Sequence, residues 1–428
     1  MECCGIKLDE QRISNVIRRL TSVLLIACFF VLPISLTLKS IIVPIVVAGL
    51  IYSYRLQIYN IYSAPWSIII VMLFLLVCCD SLRGIAGFAA KLGLINSYIK
   101  LLFLPLLAFG LQNARLRFWA VQAFLLAILI TVAGCALKYF DIVQFKYPGD
   151  PGACFFNHIV TGYFIAFAAF LSAVYAVQSK GNYKYLYSIL SLIFSLDILF
   201  INTSHTGIAV FVLLSLLFFA YYGRNYRKIL YVLPLLVLLG WSSNMIHVNF
   251  NRLHQEAQDY VGSNQDTSLG YRLQFYKYSY NLFLKNPLIG LGTGGYASHF
   301  VLDKPILTWD GALQPHSEFW FIAVEHGLLG LILFLLFFVM LFYISLHIVE
   351  MRVPMQGLLL SFLAGCLFDD IWLSISATGY LLVLFTALGI GEWLQNGATE
   401  SLKSWGVCSL KIRAATVREC SQQPVNSP

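Results

Sequence analysis

The sequence predicts an all-α polytopic membrane protein, a single integral domain over residues 1–428 with about twelve spans. Three observations predict it. Of the 428 residues, 59% are hydrophobic and 11% are charged, and mean hydropathy is +0.78. A soluble domain carries roughly 25% charged residues. At under half that level, too few polar side chains remain to cover a water-facing surface, which excludes a cytosolic enzyme, a disordered tail or a secreted disulfide scaffold. Apolar runs recur along the chain at close to the ~20 residues a helical span needs. Finally, Lys and Arg gather in alternate connections between those runs.

The runs lie at 21–38, 41–54, 65–79, 94–111, 117–137, 157–178, 185–202, 206–222, 229–241, 319–346, 353–369 and 373–394. The first follows Lys7, Arg12, Arg18 and Arg19 and lacks a small-x-small cleavage site, so it reads as an uncleaved span. Cys3 and Cys4 precede it, contrary to a lipoprotein cleavage box. The second, third and ninth runs are short for a bilayer, which implies tilting, breaks or partial burial. With the N-terminus in the cytoplasm, 17 of the 28 Lys and Arg fall on the inner face and 11 outside. Residues 395–428 then form a cytoplasmic tail. The net charge of +8 is scattered in ones to threes, so it sets topology and gives no nucleic-acid footprint.

One outer segment, 242–316 between the ninth and tenth spans, is long and mixed in polarity. Phe250–Tyr260 (FNRLHQEAQDY) has helix-forming composition. Gly270–Lys285 (GYRLQFYKYSYNLFLK) sets basic residues among aromatics, which suits a helix at the membrane interface. Asn286-Pro287 ends it, and the following IGLGTGGY needs a tightly turned backbone. Gly290, Gly292 and Gly295 form G-x-G-x-x-G, but no strand precedes them and no acid follows at the dinucleotide-binding distance. A bend that lets the backbone approach an anionic lipid headgroup fits better.

Several polar residues stand out on the outer face. His316 follows Pro315 and precedes the tenth span; it is either a proton acceptor for a hydroxyl or simply a polar residue opening a helix. Arg272, among tyrosines near lipid, suits bidentate phosphate or pyrophosphate binding, or else snorkels. Arg83 follows the third span, His205 sits in NTSHTG, and His158 follows PGDPGACFFN. Asp369-Asp370 forms a turn that suits a cation, a sugar hydroxyl or plain solvation. Glu318, Glu325, His316 and His326 lack H-E-x-x-H spacing, so no metal site is expected. Of ten cysteines only Cys154 falls outside, which leaves it without a partner and predicts no disulfide. Asp197, deep in the seventh run, has no explanation. No paired charges in mid-span and no inverted repeat are visible, which argues against a transporter.

Taken in order, Arg272 in YRLQFYKYSY, then NPLIGLGTGGY (286–296), PHSEFW (315–320) and EHGLLG (325–330) resemble the hallmark stretch of the bacterial O-antigen ligase and polymerase superfamily. Weaker agreement comes from Gly152–Tyr163 and NTSHTG. The resemblance implies a glycosyltransferase-C-like fold with a large periplasmic loop before span ten. It implies an inner-membrane enzyme, its site facing the periplasm, that moves a glycan from undecaprenyl diphosphate to an acceptor, lipid A–core for a ligase. No cofactor, ATP or metal is implied. His316 would be the catalytic base, Arg272, Arg83 and His205 the donor diphosphate ligands, and His158 and Glu318 acceptor or cavity residues. Two positions depart from the family: Ser317 where Asn is usual, and Ser204-His205-Thr206-Gly207 where Ser-Arg-Thr-Gly is usual. O-antigen polymerase, protein O-oligosaccharyltransferase and a non-enzymatic glycan transporter are the alternatives, in that order.

Overall fold

A computed structural model describes residues 2–144, 146–223, 255–256, 258, 266–309, 311, 313–368 and 376–397, with side chains described from residue 14 onward. Among these, the regular elements are all helices. They are α1 (Glu2–Val31), α2 (Leu36–Tyr54), α3 (Ile58–Ser63), α4 (Pro65–Ser81), α5 (Phe88–Gly110), α6 (Ala114–Tyr139) and α7 (His158–Gln178). Then follow α8 (Asn182–Phe200), α9 (His205–Tyr222), α10 (Ser268–Lys285), α11 (Gly295–Asp303), α12 (Glu318–Leu346), α13 (Arg352–Phe368) and α14 (Ser376–Gln395). Among the described residues, nine helices are long and apolar enough to cross a membrane: α1, α2, α5–α9, α12 and α14. Apolar α4 and α13 are shorter. The expected span 229–241, most of 250–260, Asp369-Asp370 and the tail beyond 397 lie outside the described residues.

Helix starts follow side-chain chemistry. Asn113, Asn157, Ser204 and Thr267 each accept a hydrogen bond from a first-turn amide, opening α6, α7, α9 and α10. Pro65 occupies the first turn of α4, where no amide is needed. The first two spans differ from expectation. The run 21–38 is broken after Val31, because Pro33 cannot continue a helix, and Ser35 caps α2. Lys39 therefore marks no boundary. It lies inside α2, 2% exposed, where its Nζ donates to Ser376 Oγ (2.7 Å) and sits 3.9 Å from the Tyr380 ring centre.

The buried helices at the centre are α7 and α14, each about nine-tenths buried, whereas α1, α2 and α9 bury barely a quarter and form the rim. Phe385 of α14 joins the layers. It meets Phe124 of α6 and Phe167 of α7 edge-on with ring centres 4.9 Å apart, and Phe29 of α1 at 5.5 Å. Near the C-terminal end of α14 Glu392 accepts from the amides of Val349, Glu350 and Met351, each at 2.8 Å, and so caps the entry to α13. There Arg117 donates to Leu111 and Gln112 carbonyls and to Gln395.

Candidate functional site

The organising feature is a break in α12. Gly327 has φ 63° and ψ −159°, so the helix stops after His326 and restarts at Leu328. A break strands backbone groups that hydrocarbon cannot solvate. Here the glycine turn replaces the missing partners. Leu291 N–H donates to Val324 O (2.8 Å) and Gly292 N–H to Glu325 O (2.9 Å). In return Leu328 and Leu329 donate to Pro287 O (2.8 Å) and Leu288 O (3.2 Å). Such close passage excludes side chains: a Cβ on Gly290 would lie 2.4 Å from Glu325 O, and one on Gly327 2.5 Å from Leu288 O. The turn was expected to open its backbone to a headgroup; at Gly290 and Gly292 protein backbone fills that space instead, from α12 and from Asp80 and Gly84.

His316 stands at the entry to the N-terminal half of α12. Its φ of +50° is left-handed, a conformation non-glycine residues rarely keep without support from their surroundings. That support comes from the 266–309 segment. The ring of Phe275 on α10 lies 5.3 Å from the His316 ring and that of Trp309 5.8 Å. Tyr276 donates its hydroxyl to His316 O (3.4 Å) and Leu367 O (2.6 Å), tying α10, His316 and the end of α13 together. Arg272 lies three and four residues before Phe275 and Tyr276, on the face of α10 that meets His316. Ser317, the unusual residue of the motif, donates to Cys366 O (3.2 Å) and anchors the same junction.

Glu318 opens α12 fully buried, facing the buried Lys100 of α5. Beneath it lies a network that sequence reasoning missed. His326 donates from Nδ1 to the Asp80 carboxylate of α4 (2.7 Å), and the Tyr98 hydroxyl is 3.5 Å from its Nε2. Arg83 pairs with the same Asp80 and donates to Ile289 O (2.8 Å), holding the glycine turn from the other side. Thr293 fastens the turn to Val77 O (2.8 Å). Buried polar contacts between Asp80, His326 and Tyr98 therefore link the helices. They sit on helices far apart in the chain, and a charge pattern read along one span cannot reveal such a pairing. Lys39, Lys100 and Lys138, counted as outer charges, are likewise buried in the bundle.

The other candidates form a second cluster. His158 Nδ1 lies 2.7 Å from Asp150, which also accepts from Thr203. Asn202 donates to Gly152 O and His158 O, so the starts of α7 and α9, with His205 exposed, are bound together. A bond between Tyr163 and Ser361 (2.7 Å) fixes α7 to α13, whose C-terminal end touches Ser317 and Tyr276. The structure thus sets His316 against the α10 helix that bears Arg272, two residues before Glu318, and places Arg83 behind the glycine turn. His158 and His205 lie at the starts of α7 and α9, and α7 is bonded to α13.

Residues 190–335 match the family described as O-antigen ligase. The match supports the O-antigen ligase and polymerase superfamily. The matched region runs from α8 through the break in α12 and contains His205, Arg272, the glycine turn and His316. Asp80, Arg83, Tyr98, Lys100 and His158 fall outside it, so half of the buried network is contributed by helices beyond the matched region. No curated protein matches the chain. The family supports ligase- or polymerase-type glycan transfer by a multi-pass membrane protein.

Proposed function

We propose that the protein is an O-antigen ligase of the inner membrane. It transfers a glycan from undecaprenyl diphosphate to a sugar hydroxyl of lipid A–core on the periplasmic face. The carrying observation is the packing of α10, which bears Arg272, against His316 through Phe275 and Tyr276. We assign the base to His316 and the cation to Arg272, at the start of a helix whose amide end favours anions.

In the reaction His316 takes the proton of the acceptor hydroxyl as its oxygen attacks the anomeric carbon. The bond from that carbon to the diphosphate oxygen breaks, and the diphosphate leaves on its lipid. Arg272 neutralises the leaving group, where charge builds up in the transition state. A single displacement inverts the anomeric carbon. The donor's own phosphoester supplies the driving force, so no nucleotide or metal enters.

The test is the lipopolysaccharide of cells carrying His316→Ala or Arg272→Ala, with membrane insertion checked by immunoblot. Bare core with accumulated lipid-linked polymer is expected for both. A full ladder of O-chains on a silver-stained gel from the His316→Ala strain would refute the assignment. Core bearing a single repeat would point to the polymerase reaction instead.

A further inference from the structure

The connection between α6 and α7 brings together two cysteines that the sequence keeps apart. Cys154 lies in that connection and Cys135 in the last turns of α6. Lys138, one turn after Cys135 on the same face of α6, donates its ammonium to Tyr147 O (2.7 Å), Asp150 O (2.7 Å) and Ala153 O. That grip holds the backbone just before Cys154 one helical turn from Cys135. Both thiols are buried, with Cys135 0% and Cys154 1% exposed, and the two side chains interact. Both are free thiols in the structure. Cys135 reads as an ordinary span residue because only the fold returns the connection to its helix.

We propose that Cys135 and Cys154 form a structural disulfide that fastens the outer connection 140–157 to α6. The inference rests on the outer-face placement of that connection, where the compartment is oxidising. The chemistry is disulfide exchange with an oxidant of the outer compartment, a protein disulfide RS–SR. Cys154 attacks one sulfur of RS–SR and expels one thiol. Cys135 then attacks the Cys154 sulfur of the mixed disulfide, its proton leaving with the second expelled thiol. The sum is two protein thiols plus RS–SR giving one protein disulfide plus two RSH. Cys154 is suited to the first attack, because the thiol of Cys135 donates to it and, with Lys138 nearby, holds it below its ordinary value against the effect of burial. Burial of both sulfurs then shields the finished bond from reductants. The bond serves the candidate site indirectly. The same connection carries Asp150, which holds His158 and Thr203 at the starts of α7 and α9.

The experiment uses the full-length protein. Membranes are quenched in acid and denatured, free thiols are blocked with N-ethylmaleimide, and thiols released by reduction receive a heavier maleimide before peptide mass spectrometry. Peptides of Cys135 and Cys154 should carry the second label, with a cross-linked peptide present only before reduction. Cys366, buried at the end of α13, should carry the first label and serves as the internal control. Orientation is tested separately on Gln144→Cys, exposed in the same connection, with a membrane-impermeant maleimide on intact cells. Labelling at position 144 together with first label on Cys135 and Cys154 overturns the disulfide and leaves the orientation standing. Absence of labelling at 144 overturns the orientation on which it rests.

Discussion

Replacing Gly327 by alanine tests the interlock between the glycine turn and the broken helix. Two penalties add. The Gly327 backbone, with φ 63° and ψ −159°, lies in a region essentially reserved for glycine and costs an L-residue about 1–3 kcal/mol. The new Cβ would also lie 2.5 Å from Ile289 N, Leu288 C and Leu288 O, all backbone atoms without a flexible end to swing away. Relief requires the turn to withdraw from α12, which breaks four backbone hydrogen bonds. At about 1 kcal/mol net for each bond, withdrawal adds roughly 4 kcal/mol. The sum, about 5–7 kcal/mol, rivals the whole stability margin of many domains. The assay is thermal melting of the detergent-solubilised protein by fluorescence-detected gel filtration, beside a Gly93→Ala control. At Gly93 on α5 a Cβ meets nothing within 4 Å, so that variant should match or exceed the wild type. Gly327→Ala should melt many degrees lower and lose glycan transfer. If it melts within a degree of the wild type with transfer intact, the interlock does not hold the two halves of α12.

Asp80→Asn keeps a hydrogen bond to His326 but loses the charge that Arg83 and His326 share. A charged hydrogen bond is worth about 1.5–3 kcal/mol, so transfer should fall on the order of tenfold or more while melting changes less; equal transfer would show that the network is only structural. Glu392→Ala removes the acceptor of three amides before α13 and should destabilise by about 2–4 kcal/mol, seen as a lower melting temperature with transfer retained in the cold. Tyr278, which donates to Asp303 (2.8 Å) outside the spans, has its hydroxyl pKa raised by burial and by that carboxylate. A raised value means stabilisation present below the ordinary tyrosine range and lost as pH climbs through and above about 10. The advantage of wild type over Tyr278→Phe should therefore vanish in alkaline melts; a constant difference across pH would contradict the assignment.

What could be read from sequence was what depends on neighbours in the chain. Apolar run length located α5 to α9, α12 and α14, and cap residues such as Asn157 and Ser204 set their starts. The order Arg272, glycine turn, His316 was legible because all three lie within one local stretch. What stayed hidden depends on which helix lies beside which. Asp80 and His326 are separated by 246 positions, and the partners of Lys39, Lys100 and Cys135 come from other elements or return over a connection. Buried charge read one span at a time looks like a boundary or an outer loop. Glycine spacing was visible, but its reason was misplaced: the turn avoids side chains to meet another backbone.

The broken helix also constrains how the protein enters the bilayer. The segment 287–292 leaves the ribosome before residues 324–329, yet each supplies what the other lacks. The N-terminal half of α12 cannot settle in hydrocarbon as an independent hairpin arm, since its severed end would stay unsolvated until the turn is drawn down beside it. Insertion and loop docking are therefore one event. A chain with a faulty turn should stall during biogenesis and be cleared by membrane proteases before it ever meets a substrate.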